Sequence, residues 1–229
     1  MTQAHPSIFL FDIDGTLIST AGAGRRAFER AFADLAGPGD HLEFSFAGMT
    51  DRSIARQGLV AAQLEATDEA IEAAIEAYLG FLPEFVDAAD GYTIFSGVVE
   101  LLDALGERTN AAIGLGTGNI ERGARIKLAR GGLNPHFDFG GFGCDAEDRA
   151  ELIAAGARRG AERLGMALER CRVIVIGDTD RDIAAARAIG AECLGVATGG
   201  ATVDELLSYG AHHGVEALTD PSAREFLWG

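Results

Sequence analysis

The sequence predicts an α/β fold, a doubly wound parallel sheet with an inserted all-helical unit. Three observations predict it. Four short apolar runs, at 8–11, 111–115, 173–176 and 193–196, lack the alternation of a half-exposed strand. Each of the first three ends in a polar turn containing glycine and leads into a segment of helical periodicity. A long stretch of helix-like sequence separates the first run from the second. Strands buried on both faces read as continuous apolar runs, and strand–turn–helix alternation is the pattern of a Rossmann-like layered core.

Taken in order, Ile8, Phe9, Leu10 and Phe11 form the first strand, which stops at Asp12. Between 18 and 91 the texture changes. Ala27, Phe28, Ala31, Phe32 and Leu35 recur at helical spacing, as do Ile71, Ile75, Tyr78, Leu79 and Leu82, and no convincing strand lies between them. That length exceeds one crossover, so residues 18–91 read as a separate helical domain. The α/β core is then discontinuous, comprising 1–17 and 92–229. Val98, Leu101, Leu102 and Leu105 mark one face of a helix over 96–109, and a helix over 120–130 follows the second strand. Helices over 147–164 and 180–189 flank the third strand. Short helices at 206–209 and 223–227, with a weak strand near Val215, complete the chain.

Composition narrows the function. The 229 residues carry a formal charge of −16, which disfavours nucleic acid and anionic membranes as partners. No apolar run is long enough to cross a membrane, and 8–11 is too short for a signal-peptide core. Cys144, Cys171 and Cys193 are scattered and odd in number, as expected of a reduced, cytoplasmic protein. Lys127 is the single lysine. A P-loop needs a Gly-Lys pair that is absent, and Schiff-base chemistry would rest on Lys127 alone.

Three polar clusters follow three of the expected parallel strands, where an open α/β sheet forms its ligand crevice. In Asp12-Ile13-Asp14-Gly15-Thr16 two carboxylates can share that crevice if the chain turns at Gly15, one as nucleophile and one as acid or base. In Gly116-Thr117-Gly118-Asn119 a hydroxyl and free N–H groups at a helix start form an oxyanion cradle, although Thr and Asn also serve as ordinary N-caps. Gly177-Asp178-Thr179-Asp180-Arg181-Asp182 adds a third strand-end carboxylate. An all-oxygen set of this kind suits Mg²⁺, while Asp180 reads as a first-turn helix acid.

In these residues and their order the chain resembles the haloacid dehalogenase superfamily, and the helical insertion resembles that superfamily's cap domain in phosphoglycolate phosphatase-like members. The resemblance implies a Mg²⁺-dependent phosphatase acting on a small anionic phosphorylated metabolite. It implies Asp12 as the nucleophile that forms an aspartyl-phosphate, Asp14 as general acid/base and Thr117 as a phosphate-binding hydroxyl. Asp12, the Asp14 carbonyl and Asp178 would be metal ligands, with Asp182 supporting them through water or indirect contacts. Gly118 and Asn119 would help to hold substrate. A mutase of the β-phosphoglucomutase type remains the alternative, and the oligomeric state stays open.

The chain departs from the family at one place. Where a lysine is usual before the last motif strand, the sequence reads Cys144-Asp145-Ala146-Glu147-Asp148-Arg149. Arg149 is the natural substitute, because a guanidinium can bridge a phosphoryl oxygen and the Asp12 carboxylate. Dehalogenase chemistry is disfavoured by Asp14, and phosphonate cleavage by the lack of a lysine between 18 and 91. The turn over 47–52 resembles the family's substrate loop, with Arg52 a candidate for a substrate anion. Gly22-Ala23-Gly24-Arg25-Arg26-Ala27 starts too far from the first strand for a dinucleotide turn. His212-His213 reads as a polar loop, and Trp228 as packing for a final helix.

Overall fold

Strand β1 (Ser7–Phe11) is buried along its whole length and sits in the middle of a sheet. The computed structural model describes residues 6–229, so the first five residues of the expected core lie outside the described residues. After β1 come β2 (Ile18–Ser19) and three helices, α1 (Ala23–Ala36), α2 (Asp51–Ala61) and α3 (Asp68–Asp87). The chain continues through β3 (Thr93–Ile94), α4 (Val98–Gly106), β4 (Ala111–Gly116), α5 (Glu121–Arg130) and β5 (Gly140–Gly141). It ends with α6 (Arg149–Leu164), β6 (Arg172–Gly177), α7 (Asp180–Ala188), β7 (Glu192–Val196), α8 (Val203–Tyr209), β8 (His213–Val215) and α9 (Pro221–Trp228).

Six of the strands form one parallel sheet in the order β5-β4-β1-β6-β7-β8. Alternation along β1 divides the core between the two faces. Phe9 and Phe11 pack with α4, α5 and α9, while Ile8 and Leu10 pack with α6 and α7. Burial of each such side chain contributes roughly 2 kcal/mol, which makes this two-sided strand the anchor of the sheet. The register sets the chemistry. Phe11 lies beside both Leu115 and Ile176, so the residues that follow all three strands emerge at one edge.

The helices α1, α2 and α3 bury a core of their own, centred on Phe28, Phe32, Ile54, Leu59, Ile75 and Tyr78. The expected spacing is present in α1 and α3, except that Leu35 is 39% exposed. α2 begins at Asp51 because Thr50 caps it, accepting from the Ser53 N–H while Ser53 Oγ accepts from the Thr50 N–H. One expectation is corrected. Ile18 and Ser19 form a strand inside the stretch read as wholly helical, paired antiparallel with Ile94 and Thr93. Two residues are too few to show alternation, and their partner lies on the far side of the helical insertion. This ribbon joins the insertion to the sheet at its two crossing points. No described helix is long and apolar enough to cross a membrane.

Candidate active site

The chain after β1 turns sharply at Gly15, whose φ of 87° is a left-handed conformation that glycine adopts without strain. A Cβ at Gly15 would also lie 2.4 Å from Asp178 Oδ2. The turn therefore needs glycine twice over, once for backbone conformation and once for space. Thr16 Oγ1 donates to Asp178 Oδ1 at 2.7 Å and ties the first cluster to the third.

Asp12, Asp178 and Asp182 are buried, each with a carboxylate oxygen within 4.8 Å of the others. Burial pushes Asp12 up to about 6, opposed by Arg149 and supported by the charges of Asp182 and Asp14. Burial likewise pushes Asp178 well above the carboxylate range, with Asp182 and Asp12 adding to it. Such a set is short of positive charge, and its hard oxygen donors fit a divalent cation. Asp182 is already engaged. Its Oδ1 accepts from Arg149 Nε and Nη2 at 3.0 and 2.6 Å, and its Oδ2 accepts from the Thr179 N–H and hydroxyl at 3.1 and 2.6 Å. That leaves Asp12 and Asp178 as the carboxylates open to a metal.

Arg149, the first residue of α6, is 9% exposed. Its Nη2 stands 3.0 Å from Asp12 Oδ2, and its Nη1 donates to the Gly48 carbonyl of the loop before α2 at 3.1 Å. Burial works against its charge, but Asp182 and Asp12 outweigh that and raise its pKa. The substitute expected from the sequence thus stands beside the expected nucleophile.

Thr117 is fully buried, its hydroxyl favours the ionised Asp12, and it accepts from Asn119 Nδ2 at 2.9 Å. Gly118 supplies its carbonyl to the Asp51 N–H at 2.8 Å, a link from the sheet edge to α2. Arg52 does not join the site. It pairs with Glu72 and Asp68 on the surface of the helical insertion, away from the cavity. His212 Nδ1 accepts from the Cys193 N–H, and Trp228 packs against the core with α9.

Lys127, which the sequence analysis read only as the single lysine, also stands in this cluster. It is 5% exposed, and its Nζ lies 2.6 Å from both Asp14 Oδ2 and Asn119 Oδ1. Asn119 Nδ2 donates to the same Asp14 oxygen at 2.9 Å. Burial alone would lower the Lys127 pKa, but the charges of Asp14 and Asp51 outweigh it and hold the pKa above its usual value. The signal was there to find: Lys127 falls on the buried stripe Gly123, Ala124, Lys127, Leu128 of α5. A lysine on such a stripe requires an anionic partner. Asp51 was missed too. It is buried, accepts from the Ile120 N–H at 2.9 Å, and is pushed by burial up to about 6 against the pull of Lys127.

Above these groups lies a cavity of about 310 Å³ between the sheet edge and the helical insertion. Asp12, Asp14, Thr117, Lys127, Arg149 and Asp178 line its floor. Phe28, Phe46, Met49, Ile54 and Tyr78 line its far side.

Residues 6–190 match the haloacid dehalogenase-like hydrolase family. A "Probable phosphatase IndB" from Dickeya dadantii is 28% identical over 199 residues, 87% of this chain and 84% of that protein. The structure also resembles a hydrolase from Pseudomonas syringae, with a TM-score of 0.71, 24% identity, and coverage of 96% of this chain and 98% of the other. It resembles a predicted phosphoglycolate phosphatase from Haemophilus somnus (TM-score 0.71, 16% identity, 98% and 100% covered). A β-phosphoglucomutase from Clostridium difficile is similar as well, with a TM-score of 0.72 and 18% identity over 98% and 97% of the two chains. The matched span takes in all three strand-end clusters, and the chain belongs to the haloacid dehalogenase-like hydrolases.

Proposed function

We propose that the protein is a Mg²⁺-dependent phosphoric monoester hydrolase that acts on a small phosphorylated metabolite through an aspartyl-phosphate on Asp12. One observation carries this reading: Asp12, flanked by Arg149 at 3.0 Å, shares a cavity floor with Asp14, which Lys127 and Asn119 hold by a single oxygen. Asp12 attacks phosphorus, and the bond to the leaving oxygen breaks. Asp14 donates its proton to that oxygen, then takes one from the water that hydrolyses the aspartyl-phosphate. Arg149 and Thr117 hold the phosphoryl oxygens, and Lys127 with Asn119 fixes the direction of Asp14.

Asp12 and Asp178, with the Asp14 main-chain carbonyl, would hold Mg²⁺, which supplies charge neutralisation at the phosphoryl group. Asp182 acts through Arg149 rather than on the metal directly. Residues 18–91 serve as the cap over a core formed by 1–17 and 92–229. Free Cys144, Cys171 and Cys193 fit a cytoplasmic location.

The reading is tested by phosphate release from p-nitrophenyl phosphate with and without Mg²⁺. Release should require the metal and disappear in Asp12→Asn, and activity surviving that change would refute it. A hexose 1-phosphate isomerised without free phosphate would instead indicate a mutase.

A further inference from the structure

The far side of the cavity contains a polar group that no described residue satisfies. Tyr78, on α3, is 0% exposed and lines the cavity, yet its hydroxyl has no hydrogen-bond partner among the described residues. Its ring stacks on Phe28 with centroids 3.9 Å apart, which holds the hydroxyl in position. A buried hydroxyl left unmade costs about 1–3 kcal/mol, a cost that a ligand group can remove. Asp51 lines the same region, and the Cβ position of Gly123 lies 3.5 Å from Asp51 Oδ2 and 3.6 Å from the Tyr78 hydroxyl. One Asp51 oxygen accepts from Ile120, and a carboxylate has lone pairs left for a further donor.

The positive charges nearby are already committed. Lys127 is bound to Asp14 and Asn119. Arg25 lines the cavity, but its guanidinium donates to the Leu42 and Phe44 carbonyls at 2.9 and 2.7 Å and lies 3.9 Å over the Phe46 ring. Arg52 is paired with Glu72 and Asp68 outside the cavity. Among the described residues, the side of the cavity formed by the helical insertion presents the Asp51 carboxylate, the unpaired Tyr78 hydroxyl, the Arg25 guanidinium held by two carbonyls, and apolar walls.

From this we infer that Tyr78 and Asp51 form a leaving-group subsite for an uncharged alcohol, one with an apolar or planar body and a hydrogen-bonding edge. A carboxylated alcohol is rejected there. The inference rests on the phosphatase reading for the position of the phosphoryl group. A negative leaving group would meet Asp51, while the cations lining that side, Lys127 and Arg25, already hold Asp14, Asn119 and the Leu42 and Phe44 carbonyls, and like charges brought together out of water are costly. The neutral alcohol meets Phe28, Phe46, Met49 and Ile54 with its body, gives a proton to Asp51 and shares one with Tyr78.

The test compares two matched pairs of esters in the presence of Mg²⁺: benzyl against 4-carboxybenzyl phosphate, and 2-hydroxyethyl phosphate against phosphoglycolate. The neutral member of each pair should be favoured at least about tenfold in kcat/KM, about 1.4 kcal/mol. Tyr78→Phe should raise KM for 2-hydroxyethyl phosphate severalfold and leave that for benzyl phosphate unchanged. Asp51→Asn should narrow the gap within each pair. Equal or better turnover of the carboxylated esters would overturn the inference, as would a Tyr78→Phe effect shared by both neutral esters. Calorimetric titration of the Asp12→Asn protein with the benzyl pair reads the same preference without turnover. Failure of every ester to release phosphate would refute the phosphatase reading, while the binding arm still decides the subsite, equal affinities counting against it.

Discussion

Lys127 shows how far one buried cation reaches. Its contact with a single oxygen of Asp14 leaves the other oxygen of that carboxylate for proton transfer. Lys127→Met should therefore cost most where the leaving group most needs a proton. We expect about a 100-fold fall in kcat/KM on phenyl phosphate and a much smaller fall on 2,4-dinitrophenyl phosphate. Equal losses along that series would assign Lys127 to phosphate binding or to folding instead. Asp51 gives a second expectation, in stability. Burial raises its carboxyl from 3.8 to about 6 in the folded protein. As pH rises from about 4 to 6 the unfolded chain releases this proton first, so the unfolded state gains and stability falls. The loss is on the order of 3 kcal/mol, complete above the folded value. Asp51→Asn removes this component while an amide oxygen can still accept from Ile120. The variant should gain on the wild type between pH 4 and 7 in urea unfolding, and parallel curves would contradict the assignment. The strand-end aspartates, Thr117 and Arg149 were legible because each follows an apolar run or opens a helix. Lys127, Asp51 and Tyr78 were not, because their partners come from separate elements and their helical spacing also fits plain packing.

At the level of elements, long apolar runs and helical stripes were easy to read, and short pairings were not. β1, β4, β6 and β7 stood out because each is buried between layers of helix. β5 consists of Gly140 and Gly141, which have no side-chain pattern to recognise. Its reason is steric. A Cβ at Gly141 would lie 1.8 Å from the Leu152 carbonyl oxygen and 2.9 Å from the Gly156 nitrogen of α6. The missing side chain lets α6 lie directly on the sheet, and that close approach sets where Arg149 begins. Gly141→Ala should then cost at least about 2 kcal/mol in urea unfolding, since the blocking atoms are α6 backbone, which cannot rotate aside as a side chain can. It should also lower phosphatase activity in the fraction that stays folded, because moving α6 moves Arg149 away from Asp12. An unchanged urea midpoint would show that α6 can shift freely.

Across the whole molecule, the helical insertion is held to the core by contacts that converge on the site. Arg56 bonds Glu147 through Nε and Nη2, Arg149 reaches the Gly48 carbonyl, and the Asp51 N–H reaches the Gly118 carbonyl. Lys127 and Arg149, the buried cations of the described residues, stand there among buried aspartates, within a chain of net charge −16. An approaching phosphate ester thus meets two opposed fields. The repulsion from the whole surface acts at long range, while the attraction of Arg149, Lys127 and the metal acts within the cavity. Salt separates them, because the screening length shrinks from about 30 Å at 10 mM to about 8 Å at 150 mM. At the lower concentration the ester is repelled by the entire chain, and at the higher it responds mainly to the cavity. With Mg²⁺ saturating throughout, kcat/KM for an anionic phosphomonoester should therefore rise roughly twofold to fivefold between those concentrations, chiefly through KM. A fall in kcat/KM would mean that the site's positive groups dominate the field well beyond the cavity mouth.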